Sequence, residues 1–232
     1  MKNRLTHNIV QLGYWNAAWY GVHRLLGLFG WRLYKYYFLA QPVAAAELAR
    51  GRGKAIDVRL ATGEGEVPAD CGRSRAVVAQ RFAQGAQCLQ AWRGAELTGY
   101  LWFLHDAYLE DEVRVRYHLT AAESVWDFDV YVTPEARLGP TFLRLWDETN
   151  HLLRGRGVRW SCSRISAFNA GSRHAHARLG AVELDGALFL CCGRWQWMLA
   201  SCAPYVHLSR RPEAFPELHF DTRPLGRRRA GP

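Results

Sequence analysis

Apolar residues recur at steps of three and four over residues 5–29: Leu5, Ile9, Leu12, Trp15, Trp19, Val22, Leu26 and Phe29. That period predicts an amphipathic helix at the start of the chain. Trp31 to Val43 then reads as a Tyr- and Phe-rich strand stopped by Pro42. Residues 44–60, rich in Ala and Arg, predict a helix, and Thr62 to Pro68 a loop. Gly72 to Gly85 predicts a short helix, followed by a hairpin of Gln87–Trp92 and Leu97–Leu104 turning at Arg93-Gly94.

Val113, Val115, Tyr117 and Leu119 alternate with Arg114, Arg116 and His118, the period of a half-buried strand. Val125–Val132 predicts another strand. Phe142, Leu145, Trp146, Thr149 and Leu152 mark one face of a helix that ends at Arg154-Gly155-Arg156-Gly157. A strand through Val158, Trp160 and Cys162, a helix over 170–179 and a hairpin of 188–192 with 195–199 follow. The tail from Pro204 is Pro- and Arg-rich and is expected to be loosely held. Together these elements predict an α+β fold with a mixed sheet. The divisions expected are a helical extension over 1–30, a main domain over 31–203 and a tail over 204–232.

Lys and Arg outnumber Asp and Glu by 30 to 21, a net charge of +9 that favours anionic partners. The 49% hydrophobic content excludes a disordered chain. Gln11, Asn16, His23 and Arg24 interrupt the apolar run a signal peptide needs, and Arg24 and Arg32 break the best membrane-spanning candidate. The expected setting is cytoplasmic, with reduced thiols. The aromatic first helix adds peripheral membrane-surface contact through residues 5–29, or contact with a second copy of the chain, as alternatives to simple packing. No Cys lies in a CxxC pair, and no H-x-x-x-H spacing points to a metal, so none is expected.

The most informative segment is Val130-Tyr131-Val132-Thr133-Pro134-Glu135-Ala136-Arg137-Leu138-Gly139-Pro140-Thr141. Here a strand, a Gly/Pro turn and a helix opening would aim unpaired N–H groups at an anion. A second segment, Asn169-Ala170-Gly171-Ser172-Arg173-His174-Ala175-His176-Ala177-Arg178-Leu179-Gly180-Ala181, follows the next strand. Together they resemble the GNAT superfamily of acyl-CoA-dependent N-acyltransferases. In that family V-x-P precedes a Q/R-x-x-G-x-G/A turn whose amides hold the CoA pyrophosphate, and N-x-x-A/S opens a later helix. Arg93 to Tyr100 also looks like the family's second and third strands. The resemblance covers about residues 31–200.

It implies a mostly antiparallel central sheet flanked by helices. The implied activity transfers an acetyl or longer acyl group from acyl-CoA to a primary amine of a small molecule, amino sugar or amino acid. Val130, Val132, Arg137, Leu138, Gly139, Thr141, Asn169 and Ser172 are the implied acyl-CoA contacts. His176 stands where the family often carries an acidic tyrosine. Asp127 and Asp129 share a strand face by their i, i+2 spacing, and either can orient the amine or accept its proton, directly or through water. The two glycine positions of the family turn hold Pro140 and Phe142 here, with Gly139 displaced by one. Pro140 supplies no N–H. A catalytically inactive scaffold and a basic nucleic-acid-binding protein are the alternatives. The second rests only on net charge and on Arg210-Arg211 and Arg227-Arg228-Arg229, with no nucleic-acid-binding motif.

Charge is unevenly spread. Residues 134–180 hold eight Arg against three acidic residues, and residues 87–130 hold eight acidic residues against three Arg. A basic half suits a phosphate-rich donor and an acidic half a cationic amine.

Overall fold

The computed structural model describes residues 2–69 and 71–229, with side chains described over 10–69 and 71–226. Leu5, Ile9 and the Arg227-Arg228-Arg229 side chains lie outside that set. In chain order the elements are helix α1 (Lys2–Leu28), strands β1 (Arg32–Pro42) and β2 (Asp57–Ala61), helix α2 (Arg75–Ala83), and strands β3 (Gln87–Arg93), β4 (Glu96–Leu104), β5 (Ala107–Leu109), β6 (Arg116–Leu119) and β7 (Ser124–Val132). Helix α3 (Thr141–Gly155), strand β8 (Trp160–Ser166), helix α4 (Ala170–Arg178), strands β9 (Val182–Cys192), β10 (Trp195–Ala200), β11 (Val206–Ser209) and β12 (Glu217–Phe220), and helix α5 (Arg223–Arg229) complete the series. The fold is α+β, with predominantly antiparallel pairing.

The chain forms two compact units, each assembled from separated segments. One contains 42–108 and 121–161. Its sheet runs β7-β4-β3-β2, every neighbour antiparallel. Alternation along β4 sends Trp102 to one face, where Phe82 of α2 meets it edge-on at 5.2 Å. Gly99 lies on the other face beneath α3. A Cβ there would sit 2.7 Å from the Tyr131 carbonyl and 3.2 Å from Leu145, so only glycine lets helix and sheet approach this closely.

The helix expected over 44–60 does not form. Arg50, Gly51 and Gly53 have positive φ, and the amides of Leu48 and Ala49 donate to the carboxylate of Asp147 on α3, at 2.6 and 3.0 Å. Two glycines and a strong acceptor a hundred residues away override the segment's alanine content.

The other unit contains 1–41, 109–120 and 162–232. Its larger sheet runs β11-β10-β9-β1-β8, and β12 pairs in parallel with β6. Phe38, Tyr117 and Phe220 pack at 4.6–6.3 Å in its core. Helix α1 is the expected one, broken at Gly13 by non-helical φ/ψ of 77° and 159°. Buried Asn16 ties it down, accepting from Lys35 and Tyr37 at 2.8 and 3.1 Å.

Val10, Tyr14, Trp15, Leu25 and Leu28 of α1, and Phe29 just after it, stay exposed. Among the described residues no helix is long and apolar enough to cross a membrane. The segment expected to be a loose tail instead supplies two strands and a helix. Leu218 and Phe220 alternate inward and are buried, which explains why β12 docks. Strand β11 is the outermost strand of its sheet, with Val206 and Leu208 exposed.

Candidate functional site

The strand–turn–helix segment lies wholly in the unit built on β7. Register between β4 and β7 runs Tyr100 opposite Tyr131 and Trp102 opposite Phe128, so Asp129 and Val130 together oppose Leu101. This is a bulge, and Asp129 carries it at φ 54°. The bulge separates the two aspartates expected to share a face. Asp129 turns to the α2 side, where Arg81 donates to it at 2.6 Å while stacking over Trp102 and Phe128. Arg73 adds two further bonds to the same carboxylate. Burial opposes ionisation of Asp129, but the bonds and charges of Arg73 and Arg81 prevail and hold its carboxyl below the usual range. Asp127 is buried and accepts a 2.6 Å bond from the Ser161 hydroxyl.

After β7, Thr133 donates its amide to Thr98, and Pro134 opens a single 3-10 turn over Pro134–Ala136. Val130 is half-buried and Val132 buried. Arg137 folds back, its Nε donating to the Val132 carbonyl at 3.3 Å, and Leu138 is fully exposed. Gly139 donates to Ala136 at 3.0 Å, and a Cβ there would press on the same carbonyl at 3.2 Å.

Pro140 then caps α3 without any side-chain hydrogen bond, and no acidic residue occupies the first turn. The opening amides of a helix have no partner within it, so this end is left to receive an acceptor or anion. The hydroxyl of buried Thr141 also lacks a hydrogen-bond partner. Phe142 packs edge-on against Trp146 of its own helix, 6.4 Å away, which accounts for bulk at a position where the family turn has a small residue.

The second segment lies in the other unit. Ala167 donates to the Lys35 carbonyl, extending strand-like pairing past β8, and Asn169 then caps α4 by accepting from the Ser172 amide at 3.0 Å. Arg173 lies over the Tyr37 ring at 4.8 Å. His176 is buried on the inner face of α4, its Nδ1 3.0 Å from the amide oxygen of buried Gln41.

The structure therefore brings Val132, Arg137, Leu138, Gly139 and Thr141 into one connection, and Asn169, Ser172 and His176 onto one helix. It parts Asp127 from Asp129. Sequence reasoning missed Arg73 and Arg81. The trace they leave is a buried arginine in line with Val78 and Phe82 on α2, an inward face otherwise apolar.

No protein-family model matches the sequence, and no curated protein matches it. Among solved structures, a conserved protein of unknown function from Staphylococcus epidermidis is similar at 12% identity and TM-score 0.47, over 71% of this chain and 63% of its own. A GCN5-related N-acetyltransferase from Sphaerobacter thermophilus is similar at 16% identity and TM-score 0.48, over 72% and 54%. Another, from Anabaena variabilis, is similar at 9% identity and TM-score 0.37, over 87% and 59%. The chain spans about three fifths of the length of these structures. The similarity is one of partial backbone course and assigns no activity.

Proposed function

We propose that this chain is a GNAT-like N-acyltransferase that moves an acetyl or longer acyl group from acyl-CoA to a primary amine. The observation that carries the reading is the connection from bulged β7 into α3, a helix start with no side-chain cap, no carboxylate in its first turn and Arg137 immediately before it. The residues present fit a pyrophosphate, since the opening amides of α3 have no partner within the helix and the Arg137 guanidinium lies on the same short connection. In this reading Leu138, Gly139, Thr141 and Arg137 hold the phosphates, and the backbone of Val130 and Val132 lines the donor's arm.

Bound acyl-CoA supplies the activated thioester. The protein's tasks are to hold the donor, accept the proton the amine releases and return one to the leaving thiol. We assign the first proton to Asp127, reached through the Ser161 hydroxyl that donates to it. Asp129, locked between two arginines, holds the bulge in shape. The second reading, a catalytically inactive scaffold, draws its support from the burial of Asp127 and His176 and from the missing N–H of Pro140.

Calorimetric titration with acetyl-CoA, longer acyl-CoAs and free CoA decides between them. The expected result is saturable binding that Arg137→Ala weakens. Absence of heat and of any thermal shift with every CoA species would exclude the enzyme and leave the scaffold.

A further inference from the structure

We propose a zinc-type divalent cation site on the β6–β12 ribbon, formed by His118, Glu217 and His219. Parallel pairing sets His118 directly across from His219 and Arg116 across from Glu217. Glu217 and His219 are two apart on β12, so both project to the face that carries His118. One ligand atom from each lies within 4.8 Å of the others.

The spacing is informative. Nε2 of His118 stands 3.6 Å from a Glu217 carboxylate oxygen, beyond hydrogen-bond reach. Two ligands at tetrahedral zinc, each bonded at about 2.1 Å, are separated by about 3.4 Å. The gap that is wrong for a hydrogen bond is thus close to the gap an ion would bridge. That nitrogen is also shielded from solvent and has no hydrogen-bond partner. The imidazoles of His118 and His219 stack at 4.7 Å. His219 is exposed.

Arg116, across from Glu217, lies over the Phe215 ring at 5.6 Å. Two nitrogens and one carboxylate oxygen suit Zn²⁺, with a fourth position left for water. Such an ion would clip β12, the last strand of the chain, to a strand a hundred residues earlier. The site is independent of the acyltransferase reading.

The test is titration of the metal-stripped, thiol-reduced chain with Zn²⁺ and Co²⁺. One ion per chain is expected to bind, with affinity falling at least about tenfold in His219→Ala and in Glu217→Gln. Both side chains are exposed, so each variant should melt like the wild type in chelator. Zn²⁺ should then raise the melting temperature of the wild type alone. Non-saturable binding, unchanged affinity in both variants, or a thiolate charge-transfer band with Co²⁺ would overturn the site, the last by placing the ion on cysteines.

Discussion

Asp129 couples a backbone irregularity to a charge, and substitution there can separate the two. Asp129→Asn keeps a residue that tolerates the left-handed region but removes the negative charge. Arg81, whose side chain is 4% exposed, would then lose its ion pair with this carboxylate. Breaking a buried ion pair by removing one partner costs about 3–5 kcal/mol. Arg73 is 43% exposed and water can solvate it, so the lower end applies, about 3 kcal/mol. In a chain of 232 residues unfolding as one that lowers the melting temperature by roughly 6–12 °C.

Asp129→Ala should lose the same interactions and add about 1 kcal/mol of strain at φ 54°. Asp129→Gly removes the charge without that strain. Urea melts should therefore rank wild type above Asn and Gly, with Ala lowest. The sign with pH is also fixed. Because the folded carboxyl is held below its ordinary range, its contribution is complete above about pH 4, the unfolded value, and is lost as pH falls through the folded one. The Asn variant should lack that acid-side loss. A variant within about 0.5 kcal/mol of wild type, or equal stability of Ala and Gly, would refute the assignment.

Two further substitutions test the packing that positions the α3 opening. Gly99→Ala forces a Cβ to within 2.7 Å of a backbone carbonyl and should cost about 1–3 kcal/mol, read as a lower urea midpoint with an unchanged slope. Asp147→Asn keeps the shape, but its amide nitrogen cannot accept, so one of the two bonds from the Leu48 and Ala49 amides is lost and the other loses its charge. It should cost about 1–2 kcal/mol and accelerate proteolytic cleavage within 44–56 relative to the rest of the chain.

What the sequence revealed, it revealed through short-range period. The alternation in Val125–Val132 and the three–four spacing from Phe142 to Leu152 locate β7 and α3 because each reports only whether neighbouring positions are buried. The bulge at Asp129 left no such mark, being a property of how β7 meets β4. The same holds for residues 44–60, whose alanines favour a helix in isolation while Gly51, Gly53 and distant Asp147 decide otherwise. His176 occupies an anticipated helix, yet its burial against Gln41 depends on a residue 135 positions away. His118 and His219 were invisible as a pair, since only the parallel docking of β12 makes them neighbours. Leu218-His219-Phe220 did carry the alternation of a strand, overshadowed by the prolines and arginines around it.

Strand β11 closes its sheet with a row of backbone groups beside exposed Val206 and Leu208, and exposed edges of this sort recruit other strands. For anyone producing this protein, that edge is the place where concentrated samples would begin to join strand to strand and lose material from solution. A lysine at either position, placed on a side chain that already points outward, would interrupt such stacking while leaving both proposed sites untouched.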